Sequence, residues 1–112
     1  MACLIHMIKD KNILITGGNS GIGFFTTINL LKTQNNLYIP IRSFSRKEEF
    51  FLKLLKYFDK EYLEKYLNII ENIDLSNLEN IQKVRDFLIR KNVSLDVVIL
   101  KCRLTIYWSF LS

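Results

Sequence analysis

The sequence is poor in the residues that staple or break a chain. Of 112 residues, two are Cys, one is Pro, one is His and one is Trp. Two thiols, Cys3 and Cys102, exclude a disulfide-rich scaffold and most structural zinc sites, which draw four ligands from Cys and His. His6 stands alone, with no ligand set around it, and reads as a surface residue. One Pro and four Gly are too few for a collagen-like or low-complexity chain. No apolar run approaches the roughly 20 residues that a membrane-spanning helix needs. The opening MACLIHMIKDKN places its charges after a short apolar stretch, unlike a secretory leader. A cytoplasmic location is therefore expected, and the two free thiols are compatible with a reducing compartment.

Acidic surplus is also missing, since 16 basic against 11 acidic residues give a net charge of +5. Such a surplus raises nucleic acid as a partner, provided that the cations gather in a patch. They do not. The Lys-rich middle is interleaved with Glu48, Glu49, Asp59, Glu61 and Glu64, and opposite charges at helical spacing mark a solvated face. Neither a recognition motif nor an aromatic platform accompanies them, because Phe50, Phe51 and Phe58 fall on a helical core stripe. No nucleic-acid partner is expected.

What is present is the composition of one globular α/β domain, 49% hydrophobic and 24% charged. Asn12–Thr16 (NILIT) is a short β-rich run ending in Gly17-Gly18-Asn19-Ser20-Gly21-Ile22-Gly23, where the pattern changes from strand to helix. Ile22, Phe25, Ile28 and Leu31 form the expected inner stripe of that helix, and Gln34-Asn35-Asn36 stops it. Leu37–Ile41 reads as a second strand, with Pro40 at an edge, a bulge or a strand end. Ser45–Glu64 reads as one long amphipathic helix burying Phe51, Leu54, Leu55, Phe58 and Tyr62, with Ser45 as N-cap and Glu48 completing a capping box. Leu67–Ile70 is a third strand. A further helix, capped by Ser76 or Asn77, would bury Leu78, Ile81, Val84 and Leu88 and end near Lys91-Asn92. Leu95–Leu100 (LDVVIL) is continuous enough to be a strand buried on both faces. The order β-α-β-α-β-α-β predicts a parallel sheet with right-handed crossovers.

The sharpest motif is the glycine-rich turn. Gly17 permits a tight turn directly after the strand, Gly21 lets a pyrophosphate approach the backbone, and Gly23 lets the helix pack close to the sheet. The amino terminus of the helix then offers unpaired N–H groups and a favourable dipole to the phosphates. A structural turn alone would use similar residues, and Asn19 and Ser20 are common turn or cap residues in any fold.

The spacing is TGxxxGxG, beginning at Thr16. With the Ile41-Arg42-Ser43 that ends strand two, the NIDLSNLENIQKV after strand three and LDVVIL at strand four, the chain resembles the amino-terminal half of a short-chain dehydrogenase/reductase from Lys11 to Leu100. The resemblance implies a Rossmann-type three-layer α/β/α fold, a partial doubly wound parallel sheet. It divides the chain into a 1–100 NAD(P)-binding half-domain and an atypical apolar tail over 101–112. It also implies hydride transfer between NADP(H) and an alcohol or carbonyl group in a full-length parent. Thr16, Gly17, Asn19, Ser20, Gly21, Ile22 and Gly23 would line the pyrophosphate and adjoining ribose. Asp74 would accept from the adenine amino group, with Leu75 packing beside the ring. Arg42 stands where NAD-preferring members carry Asp, and a guanidinium there pairs with a ribose 2′-phosphate; the expectation is NADP over NAD, with Ser43 as a helper. As ordinary residues, Asp74 would cap the next segment and Arg42 would be a surface arginine. Weaker likenesses to retinol dehydrogenase and 3-keto-steroid reductase branches suggest a lipophilic substrate for the parent.

Beyond Leu100 the likeness stops. The family's Asn-Ala-Gly turn is replaced by Lys101-Cys102-Arg103, a change that a one-base frame shift can produce, since AAA-TGC-AGG read one base later begins AAT-GCA. The tail Leu104–Ser112 (LTIYWSFLS) would add a strand, pack across a sheet edge, or do neither. Family members move the substrate proton with a Tyr-x-x-x-Lys pair and a Ser, yet none of the five tyrosines here has Lys four places later. No catalytic residue and no metal ligand is therefore assigned. The leading expectation is a truncated oxidoreductase retaining the dinucleotide-binding part. The alternatives are a non-catalytic NAD(P)-binding regulatory or interaction module and a non-functional fragment.

Overall fold

A computed structural model describes residues 8–17, 21–74, 78–102 and 105–110. Strand β1 (Asn12–Ile15) leads through helix α1 (Gly21–Leu31) to β2 (Asn36–Pro40). Helices α2 (Phe44–Leu54) and α3 (Lys60–Tyr66) precede β3 (Leu67–Ile70). Helix α4 (Leu78–Arg90) then connects to β4 (Val97–Cys102), and β5 (Thr105–Phe110) follows. The sheet order is β3-β2-β1-β4-β5. The first four strands are parallel, with Ile13 opposite Leu37 on one side and Val97 on the other. Strand β5 returns antiparallel along β4, with Cys102 opposite Thr105 and Val97 opposite Phe110.

Strand alternation sorts the core into two faces. Ile13, Ile15, Leu37, Ile39, Val97 and Ile99 form one, packed with Ile28, Leu30 and Leu31 of α1, Phe50 and Leu54 of α2, and Leu63 of α3. Tyr38 and Ile70 form the other with Val84 and Leu88 of α4. Helices on both faces of a mostly parallel sheet make the expected three-layer α/β/α Rossmann-type architecture. Pro40 closes β2, an interior strand, which is the strand-end solution of the three that its missing N–H allowed.

Four local expectations are corrected. The long helix over 45–64 is two helices. Leu54 and Leu63 are both fully buried, yet nine residues apart they would face opposite sides of a straight helix, so the chain must turn between them. The cap is Ser43, not Ser45: its hydroxyl accepts from the Arg46 amide at 3.3 Å. On α1 the buried residues are Gly23, Thr26, Thr27, Ile28, Leu30 and Leu31, whereas Ile22 and Phe25 are exposed. Gly23 draws the helix in on the side of Thr26 and Thr27. Their hydroxyls are satisfied by donating to the carbonyls of Ile22 and Gly23, both at 2.9 Å. On α4, Val84 and Leu88 are buried but Ile81 is exposed. The caps expected at Ser76 and Asn77 lie outside the described residues. The carboxyl end of α4 is closed by Asn92 in the left-handed region (φ 55°), with Val93 N–H donating to the Leu88 carbonyl at 2.9 Å.

The described part of the tail is strand. Lys101 and Cys102 prolong β4 instead of turning, and β5 lies antiparallel beside it. Lys-Cys-Arg contains no Gly, so nothing there favours the small turn of the resembling family.

Candidate functional site

In a doubly wound sheet, ligands bind beyond the carboxyl ends of the strands where the winding reverses. Here α1 to α3 lie on one face and α4 on the other, so the reversal falls between β1 and β4. Thr16 follows β1 at this point. It is buried, and its N–H donates to the Ile99 carbonyl at 3.0 Å, which continues the β1–β4 ladder to the rim. Gly17 comes next with φ 68°, and Gly21 opens α1 with φ 57°. A β-carbon at either position would meet the left-handed steric penalty, roughly 1–2 kcal/mol. The first turn of α1 contains no acidic residue, so no side-chain carboxylate there competes for its amides and positive dipole end. Gly23 is buried against the sheet, and Ile22 is exposed. Asn19, Ser20 and Leu75 lie outside the described residues.

The second part of the rim stands at the end of β2. Ile41 N–H donates to the Ile70 carbonyl at 2.9 Å, and the Ile41 carbonyl accepts from Ile73 N–H at 3.1 Å. These bonds pull the segment after β3 against the end of β2, so Asp74 shares a rim with Arg42. The Asp74 carbonyl accepts from Asn80 Nδ2 at 3.1 Å, which fixes that backbone to α4. Arg42 is exposed. The Ser43 hydroxyl caps α2 and contacts the Ser45 hydroxyl at 3.3 Å. Sequence reasoning passed over Arg46, which this cap places in the first turn of α2, three residues from Ser43. Lys47 in the same turn pairs with Glu71, while no ion pair involves Arg42 or Arg46 among the described residues. The signal for Arg46 was the cap register itself: moving the helix start from 45 to 43 brings Arg46 to the N3 position.

The rim thus combines a glycine turn suited to close approach of a ligand, a helix amino terminus, and two guanidinium-bearing residues, Arg42 just past β2 and Arg46 in the first turn of α2. That set suits a polyanionic ligand carrying phosphates. Among the described residues no group of three or more His, Cys, Asp or Glu is placed to hold a metal ion. Among them, too, no helix is long and apolar enough to cross a membrane.

No protein-family model matches the chain, and no curated protein matches it. Solved structures do. A short-chain dehydrogenase from Bacillus anthracis superposes with a TM-score of 0.66 at 26% identity, over 84% of this chain and 35% of that one. L-Sorbose reductase from Gluconobacter frateurii, complexed with NADPH and L-sorbose, gives 0.61 at 22% identity, over 81% of this chain and 32% of that one. A candidate D-mannonate oxidoreductase from Haemophilus influenza with bound NAD gives 0.59 at 19% identity, over 85% and 32%. The chain therefore spans about a third of the length of the structures it matches. Over that span, its parallel β3-β2-β1-β4 sheet with helices on both faces is the fold of the short-chain dehydrogenase/reductases.

Proposed function

We propose that this chain is the dinucleotide-binding part of a short-chain oxidoreductase and that it takes NADP in preference to NAD. The carrying observation is the pairing of the left-handed Gly17 and Gly21 at the β1–α1 junction with Arg42 at the end of β2. The turn and the α1 amino terminus would hold the pyrophosphate, with Asn19, Ser20, Ile22 and Gly23 along it. Arg42, aided by Arg46, would pair with the 2′-phosphate. Asp74 and Leu75 would receive the adenine. Two of the matched structures hold NADPH and NAD, so both dinucleotides suit this fold, and the charge at Arg42 favours the phosphorylated one.

When bound, the nicotinamide group supplies a hydride to a carbonyl, or accepts one from an alcohol. A parent enzyme would act on a lipophilic alcohol or ketone, in the manner of retinol dehydrogenase-like or 3-keto-steroid reductase-like members. This chain places no Tyr-x-x-x-Lys pair, so alone it is expected to turn over carbonyl substrates negligibly. A second reading, a binding module without catalysis, is favoured by β4, which runs on through Cys102 into a hairpin where the resembling family turns beneath the nicotinamide.

Thermal stabilisation and calorimetry with NADP and NAD test the assignment. Wild type is expected to bind NADP more tightly than NAD. Arg42→Asp should lose that preference, by about tenfold or more for the loss of a charge-assisted pair. Gly21→Val should abolish binding of both. Unchanged binding in both variants would reject the site.

A further inference from the structure

A cleft of about 310 Å³ lies between the start of α1 and the carboxyl end of α2. Among the described residues it is lined by Gly21, Phe24 and Phe25 of α1, by Lys53 of α2, and by Lys56 and Tyr57 of the turn that follows. Backbone bonds hold that turn, with Lys56 N–H donating to the Lys53 carbonyl at 3.3 Å and Tyr57 N–H to the Leu54 carbonyl at 2.9 Å. Phe24 is half-buried and stands edge to face with Phe25 and Tyr57, at centroid distances of 6.4 and 6.3 Å. It meets Phe50 of the core in the same way at 6.1 Å. The core therefore anchors Phe24, while Phe25 and Tyr57 stay 66% and 57% exposed. Single exposed apolar side chains are ordinary, whereas several gathered in one concavity mark a binding surface. Charge in the cleft has one sign. Among the described residues its lining carries two ammonium groups and no carboxylate. Lys53 Nζ lies 5.9 Å from the centre of the Phe24 ring and 3.3 Å from Glu49 Oε1, which offsets its charge. Lys56 is exposed and makes no ion pair among the described residues, so its charge is not offset.

We propose that this cleft binds a small planar aromatic carboxylate, its rings against Phe25 and Tyr57 and its carboxylate against Lys56. Exposed aromatic faces gain most from a planar ring, which buries their area and meets their quadrupoles in stacked or edge contact. An uncompensated ammonium beside them favours an anionic ring over a neutral one, and the aromatic lining favours a ring over an inorganic anion. The volume is at the lower limit of small-molecule sites, roughly 300–1,000 Å³, and suits a ligand of one or two rings. Gly21 contributes no side chain, so the cleft stays open toward the glycine turn. Arg42, Arg46 and Asp74 do not line it, so the cleft is separate from the cations proposed for the dinucleotide and does not depend on that reading.

Calorimetric titration of the full chain with 2-naphthoate at neutral pH and low salt is expected to give saturable binding at one site. The neutral isostere 2-naphthamide should bind about threefold to fivefold more weakly, the worth of one exposed charge pair. Lys56→Glu should weaken naphthoate about tenfold and leave naphthamide nearly unchanged, because it reverses the charge and spares the rings. Phe25→Ala should weaken both ligands by about threefold to tenfold. Both side chains are exposed, so the far-UV spectrum of each variant should match that of wild type. Arg42→Asp, which tests the dinucleotide site, should bind naphthoate as wild type does, so the two assignments fail separately. Absence of saturable binding, equal affinity for the acid and the amide, or wild-type affinity in both Lys56→Glu and Phe25→Ala would overturn the proposal. So would a chain that sediments as an oligomer and is made monomeric by Phe25→Ala, since the cleft would then be an interface between copies.

Discussion

Asn35 shows how much one polar residue can hold. It is fully buried between the end of α1 and the start of β1. Its Oδ1 accepts from the Lys11 amide at 3.0 Å, and its Nδ2 donates to the Ile8 carbonyl at 3.1 Å and the Leu30 carbonyl at 2.8 Å. Removing it takes this partner from the Lys11 amide and the Ile8 carbonyl, while the Leu30 carbonyl keeps the Thr33 N–H at 3.3 Å. Asn35→Ala is therefore expected to lower stability by about 2–4 kcal/mol in urea unfolding, at the upper end for a lost buried hydrogen-bond set. Neighbouring Asn36→Ala, whose Nδ2 donates to Asn12 Oδ1 at 3.2 Å, should cost under about 1 kcal/mol. In the sequence the pair reads only as the polar stop after a helix. Which of two adjacent Asn faces inward depends on how α1 meets the sheet, and no local pattern encodes that. Gly17 and Gly21 are different, since their position between a strand and a helix already states what backbone they must adopt.

At the scale of elements, the break between α2 and α3 was hidden because Leu55–Asp59 contains neither Gly nor Pro. Apolar spacing from 50 to 58 continues smoothly in the sequence; only the phase of Leu63 betrays the turn. The break is made by tightened carbonyl contacts, with Tyr57 and Phe58 N–H both donating to the Leu54 carbonyl at 2.9 and 3.0 Å. Phe58, just before α3, then stacks on Tyr62 with centroids 5.3 Å apart, and Tyr62 meets Tyr66 at 4.7 Å with tilted rings. Both helices bury a leucine in the same core, Leu54 from α2 and Leu63 from α3. Leu63→Ala is expected to cost about 2–5 kcal/mol, as much as Leu54→Ala, while Leu55→Ala, on a residue that is 39% exposed, should cost under about 1 kcal/mol. Chemical denaturation of the three variants checks the order. The strands were more legible than the helices, because each is a short apolar run bounded by polar residues, and a run of that kind has one way to sit in a parallel sheet.

Over the whole molecule the two faces of the sheet also meet pH differently. Burial raises the Tyr38 hydroxyl pKa on the α4 face. On the other face Tyr62 is raised by burial and by neighbouring Tyr66, partly offset by a backbone hydrogen bond from the Gln34 region. Its hydroxyl also donates to the Leu31 carbonyl, tying α3 to the end of α1. A tyrosine with a raised folded pKa holds its proton longer when folded, so its stabilising contribution is complete below the unfolded value near pH 10. It is lost as pH rises from there through the folded value. Melting temperature should accordingly fall above about pH 10, and Tyr38→Phe should flatten part of that fall while leaving neutral pH little changed.

Strand β1 is the first strand in the chain and lies at the middle of the sheet, with β2 on one side and β4 on the other. Its β4 side is secured by partners far along the chain. Asn12 N–H donates to Asp96 Oδ2 at 2.9 Å across 84 residues, and the Asp96 amide returns a bond to the Asn12 carbonyl at 2.8 Å. During synthesis β1, β2 and β3 can associate as soon as they emerge, but the central strand keeps one open side until β4 arrives. The closing loop is long, and its entropy is recovered only when the ladder forms. The β4 side of the central strand is thus sealed after its β2 side, and until β4 emerges the nascent chain carries an apolar strand that a holding chaperone would recognise.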